Sequence, residues 1–256
     1  MLVRIFSVVA IIVVSLLSMP AHSMVLKGGV EHSDRVDPVP DDLAPGQVFD
    51  RRNLPMNPDP AHTNQWYKIP DWLAGTWHKE SQTDFYRFDY STHQTDVSTR
   101  VQEARSNGVW GTQKDDQGQV WQFDPGPYVT TVDAGTQTVV EYVKSNEPVE
   151  CSDRQFVSRS FDTQIRIEKA TNEIKSVQSG EHINTYVPEG DGLIKRETSA
   201  KVFNRYGMPV LLGKSFSYEQ QIGPFVAQDN YNGSDMRALL RQFLAKNREA
   251  MAGTPR

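Results

Sequence analysis

One cysteine, Cys151, is all that the sequence holds. A count of one excludes an internal disulfide and any zinc or iron–sulfur centre built from cysteines. Its position at a strand end suggests a thiol tucked out of solvent, with a reactive or intermolecularly bridged thiol as the alternative. Positive charge is also in the minority: 27 Lys and Arg face 32 Asp and Glu, for a net charge of −5. No basic face of the kind that binds nucleic acid emerges. Missing too are Gly-x-Ser-x-Gly, His-Glu-x-x-His, the Walker loop and the Rossmann fingerprint. No catalytic residue and no cofactor are therefore assigned.

Long apolar runs number one. Arg4 precedes the stretch at residues 5–19, and Pro20, Ala21, His22 and Ser23 follow it. Small residues at 21 and 23 fit signal-peptidase cleavage before Met24, so residues 1–23 read as an export signal. The run falls short of the roughly 20 apolar residues that span a bilayer. An uncleaved anchor is the alternative. The expected location is the periplasm or the exterior, with no transmembrane segment left after cleavage.

Proline, in contrast, is concentrated. Seven of the 15 prolines lie within residues 24–70, among six aspartates (Asp34, Asp37, Asp41, Asp42, Asp50, Asp59). Proline fixes φ and removes a donor, so this segment suits neither a helix nor an inner strand. It reads as an extended arm. It is either a solvated linker or a strap along this domain or a neighbour, with Val48, Phe49, Leu54 and Met56 as anchors.

From about residue 71 to 232 the chain alternates strand-like runs with Gly, Asp and Asn turns. The runs fall at residues 74–90, 96–105, 109–110, 120–123, 128–132, 136–143, 156–161, 164–169, 174–179, 183–187, 193–203 and 210–222. Period-2 alternation rich in Val, Ile, Thr, Tyr and Phe marks antiparallel strands. No helices interleave, which argues against a parallel α/β sheet. The fold class is mainly β: an antiparallel meander of about 8–10 strands, closed into a barrel to remove its edges. A two-sheet sandwich competes. One helix is expected over residues 233–251, capped by Ser234, with Met236, Leu239, Leu240, Phe243 and Leu244 on one face.

Trp72, Gly75, Thr76 and Trp77 resemble the Gly-x-Trp opening of the lipocalin-like (calycin) barrels. The resemblance covers residues 72–80 and then the general meander. It implies a barrel closed at one end by Trp77, and a cavity for one small ligand. Strand aromatics would line that cavity, with Phe85, Phe88, Trp110, Trp121, Phe123 and Tyr142 as the ligand-binding candidates. They serve equally as a packed core.

Two acidic–histidine groupings, His78 with Glu80 and Asp89 with His93 and Asp96, lack any recognised metal spacing, so no metal is assigned. Glu181 and His182 have no evident third partner. The leading expectation is a non-enzymatic exported barrel that binds a small hydrophobic or amphipathic ligand. A cell-envelope scaffold using the arm and the helix to hold a protein partner is the alternative, and a hydrolase with acidic residues the third.

Overall fold

The computed structural model describes residues 30–56 and 66–252, without the side chains of 248–252. The export signal expected at residues 1–23 lies outside the described residues. A nine-stranded antiparallel sheet dominates. Its strands are β2 (Gly75–Asp89), β3 (Gln94–Asp96), β4 (Arg100–Trp110), β7 (Tyr128–Ala134), β8 (Gln137–Cys151), β9 (Phe156–Glu168), β10 (Glu173–Gly190), β11 (Leu193–Phe203) and β12 (Pro209–Pro224). They pair in the order β3-β2-β12-β11-β10-β9-β8-β7, with β4 also on the free side of β2. A small sheet joins β1 (Trp66–Lys68), β6 (Val120–Phe123) and β5 (Gln113–Lys114). A short hairpin of β13 (Asn230–Tyr231) and β14 (Ser234–Asp235) leads into helix α1 (Met236–Ala252).

The large sheet is a strongly curled half-barrel, not the closed barrel expected. Strand β7 at one side and β3 with β4 at the other do not pair with each other. Curl is legible in two ring contacts. Strands β4 and β9 stand five places apart, about 24 Å in a flat sheet at ~4.8 Å per strand. Yet the Trp110 and Phe156 ring centroids lie 5.5 Å apart, and Trp110 reaches Tyr186 on β10 at 5.2 Å. Phe156 and Tyr186 are paired across the β9–β10 ladder, so one face of both strands points inward. That face is the inside of a trough.

Two apolar cores sit on opposite faces of this sheet. Inside the curl, Trp77, Phe156, Tyr186 and Ile194 pack beneath Tyr67, Ile69 and Val120 of the small-sheet region. On the outside, Val140, Tyr142, Ile165, Ile167, Ile174 and Val177 pack beneath Val39, Leu43 and Leu54 of the arm. Ile165 and Phe156 differ in parity on one unbroken ladder, so β9 buries opposite faces at its two ends. For this reason residues 156–161 and 164–169, and likewise 174–179 and 183–187, look like separate strands in sequence but are single long ones.

The small sheet caps one end of the trough. Its alternation sends Tyr67 and Val120 toward the trough, and Trp66, Trp121 and Phe123 toward α1. Met236 and Leu240 are buried against that outer side. The helix therefore seats on the cap, not on the wall of the large sheet. Asp235 caps it, accepting from the Ala238 amide at 2.9 Å, one residue later than the expected Ser234.

The arm is a strap over the outer core. Its amides at Val36 and Val39 donate to the Gly207 and Arg205 carbonyls, and Gly46 N–H reaches Ile174 O. Val39, Leu43 and Leu54 are its buried anchors, whereas Val48 and Met56 are exposed. At its start Glu181, fully buried, accepts from Ser33 N–H at 2.7 Å and His32 Nδ1–H at 3.1 Å, with Arg159 Nε 3.2 Å away. Lys201 Nζ donates to Ser33 O at 2.7 Å. Burial alone would raise the Glu181 carboxyl, but the His32 and Ser33 hydrogen bonds and the His32 and Arg159 charges outweigh it and hold it low.

Truncating Leu43→Ala should cost about 2–4 kcal/mol in denaturant unfolding, the range for a buried leucine; a change within ~0.5 kcal/mol would make the strap an ornament. A depressed carboxyl contributes stability above its ordinary range and loses it as pH falls through the lowered value. Glu181→Gln should accordingly destabilise the protein at pH 7, with the deficit shrinking as acid protonates the native carboxylate. Thermal unfolding from pH 7 to pH 3 measures this.

Candidate functional site

The trough floor is ordered in cross-strand rows, read outward from its capped end. Trp110 and Trp77 come first, and Trp77 Nε1 donates to Leu73 O at 2.8 Å. Gly75 precedes Trp77 with φ +145°, and a Cβ there would sit 2.7 Å from the Gly223 carbonyl. Next stand Lys79, paired across from Glu219, and Arg196, paired between Tyr186 and Ser217. Arg196 lies over the Tyr186 ring and meets Glu219 Oε1 at 3.4 Å. Then follows a row of small polar side chains: Ser158, Asn184, Thr198 and Ser215, ending at Asp84 on β2. Beyond it run Ser160, His182, Ala200 and Gly213, ending at Arg87.

Hydroxyl and amide groups dominate that floor, and part of its bonding capacity is open. Thr198 Oγ1 donates to Asn184 Oδ1 at 2.8 Å, which leaves the Asn184 amide hydrogens facing the trough without a partner among the described residues. A cavity of about 250 Å³ occupies the side toward β4, lined by Gln82, Asp84, Arg100, Gln102, Ala200 and Ser215 among others. It lies just under the ~300 Å³ at which drug-sized pockets begin, a size for one ring or one end of a longer ligand.

On the opposite wall Asp162, Glu141 and His182 form a polar cluster. His182 Nε2–H donates to Asp162 Oδ1 at 3.2 Å. Both side chains lie over Gly180, where a Cβ would stand 2.1 Å from that oxygen. Burial pushes Asp162 up, but the His182 hydrogen bond and charge, with Gln164 and Glu141, bring it below the ordinary range. Glu141 moves the other way, raised by burial and by the charge and hydrogen bond of Asp162.

The six residues proposed from sequence do not share a cavity. Trp110 alone lies in the trough, as part of its plug. Phe85 and Phe88 are outside the curl, against Phe216 and Tyr90 respectively. Trp121 and Phe123 belong to the cap, with Phe243 and Tyr231. Tyr142 is under the strap, where its hydroxyl donates to Pro55 O at 2.5 Å. Five are spent on packing and Phe85 is 36% exposed, because the aromatic alternation does not say on which side of the sheet a ring falls.

The other candidates find local partners. His78 bridges Glu80 and Asn107 on the outer face. Asp89 accepts from the Ser91 and Thr92 amides, and Asp96 from Ser98 N–H and Arg100. Cys151 ends β8 and is exposed, not tucked away. Glu181 and His182 lie in the middle of β10, on opposite faces, each with partners that sequence did not suggest. His32 also reaches Ser199 Oγ at 2.8 Å, which gives the order of a nucleophile relay. Ser199, however, is mid-strand between β10 and β12, its backbone committed to the ladder, so no amide pair is free to hold an oxyanion. The contact fastens the strap.

No family model, no curated protein and no solved structure matches the chain.

The two carboxyls should answer pH with opposite signs. Glu141, raised in the fold, loses native stability as pH rises through its value, so Glu141→Gln should stabilise at pH 8 and do little at pH 4. Asp162→Asn should cost about 1–3 kcal/mol at pH 7 by breaking its charge-assisted bond to His182, and less in acid. Denaturant melts at three pH values test both.

Proposed function

We propose that the protein is an exported, non-enzymatic binding protein of lipocalin-like architecture. Its ligand, in this reading, is polyhydroxylated, of the class of an oligosaccharide, and lies along the trough. The carrying observation is the row Ser158, Asn184, Thr198 and Ser215, in which Asn184 and Thr198 are partly open to the trough and the two serines lie largely covered beside them. A ligand rich in hydroxyls satisfies such groups, whereas an apolar one would strip them of water without repayment. The hydrophobic ligand first expected is less well supported, since the aromatic rings fill the capped end themselves. A scaffold role is weakened in the same way, because the strap and helix are engaged within the chain. Hydrolysis by paired carboxyls is less well supported, because Glu141 is engaged by Thr130 and Asp162 by His182. Export rests on the pattern of residues 1–23.

Calorimetric titration with soluble oligosaccharides, neutral and uronate-bearing, tests the reading against a fatty acid and a hydrophobic dye. Saturable binding of a glycan is expected, weakened about tenfold by Asn184→Ala, the worth of one good hydrogen bond. Binding of the fatty acid and dye alone would return the protein to the apolar-ligand class.

A further inference from the structure

Lys79 is buried to nine-tenths on the inner face of β2, yet no carboxylate lies within ion-pair distance of its ammonium among the described residues. Lys144 on β8, partly buried, likewise lacks an ion pair, and burial lowers it as well; three other lysines differ. Lys201, equally buried, donates to Ser33 O, while Lys169 and Lys195 each hold a carboxylate at 2.7 Å. The neighbouring charges of Lys79 are Arg196, which opposes it, and Glu219, which favours it. Glu219 is itself 6% exposed, and its Oε1 is turned to Arg196. Two cations therefore share one carboxylate between the walls of Trp77 and Tyr186. Arg196 commits Nε to Thr198 Oγ1 at 3.2 Å and Nη1 to Glu219. Partial burial of a cation with no carboxylate in contact disfavours its charge, and a site that retains such a cation is short of an anion.

We propose that this end of the trough binds a carboxylate of the ligand between Lys79 and Arg196, so that the ligand is an acidic, uronate-bearing oligosaccharide. The inference rests on the trough being the binding surface. One net positive charge calls for one negative charge, which a carboxylate carries and a phosphomonoester at neutral pH exceeds. The planar guanidinium suits the same group. Ser217, buried beside Arg196, and Ser106, across from Lys79 on β4, add hydroxyls at the same level. Gln82 and Ser215 of the 250 Å³ cavity follow immediately along the trough, leaving room for the rest of the sugar chain.

Trigalacturonic acid and its fully methylated ester share one sugar chain and differ in whether its three carboxyls are charged or capped by methyl. Calorimetry on the full chain should find the acid bound at least about tenfold more tightly. Lys79→Met should bring the acid down to the affinity of the ester and leave the ester unchanged, while Lys79→Arg keeps the preference. Equal affinity for acid and ester, or a preference that survives Lys79→Met, overturns this inference and leaves the oligosaccharide reading standing. Absence of binding by both sugars removes the two together. A thermal melt controls for folding, and if Lys79→Met unfolds, Arg196→Gln supplies the same comparison.

Discussion

Packing of Trp110 against Phe156 and Tyr186 across the trough is the constraint on which the rest depends. It draws together strands that a flat sheet would hold about 24 Å apart. Once they meet, the inner face becomes a concave surface with an aromatic closed end, and the outer face becomes convex. A sheet so bent cannot use one face as core along its whole length. Inside, the narrow end is filled by rings; outside, the opposite end needs a cover, and the strap supplies it.

The polarity of the trough follows from the same division. Strand positions inside the curl but beyond the aromatic end are neither packed nor fully wet. They carry small hydroxyl and amide side chains, or charges satisfied within the wall, such as Asp162 by His182 and Asp84 by the Gln82 and Gln102 amides. Lys79 is the departure from that pattern. A buried charge without a partner carries more information than an exposed one such as Arg87 at the end of its row.

Much of the fold was legible in the residues. Alternation located β11 at residues 193–203 to the residue, β12 to within two residues at each end, and the terminal helix to within three at its start and one at its end. Where reading failed, the reasons are physical. Alternation reports that one face is buried but not which one, so the reversal of the buried face along β9 and β10 looked like a break. Gly180 looked like a turn; it is a mid-strand glycine that makes room for the Asp162 and His182 side chains. Closure was inferred from the cost of free edges, yet the edge strands carry many polar side chains: Arg100, Gln102, Glu103, Arg105, Ser106 and Asn107 on β4, and Thr130, Thr131 and Asp133 on β7. The site was least visible. Its residues are Ser, Thr, Asn and one Lys, types that in sequence are indistinguishable from solvent-facing ones; only the register between strands brings them into rows.

The fastening of the strap also bears on the order in which the molecule assembles. His32 and Ser33 engage partners 148 to 168 positions further along the chain, on β10 and β11. Closing so long a loop has little to offset its entropy until those strands are already joined. The first described stretch of the polypeptide is thus the last to find its seat, and the meander from β8 to β12 must stand by itself before the strap clicks over it.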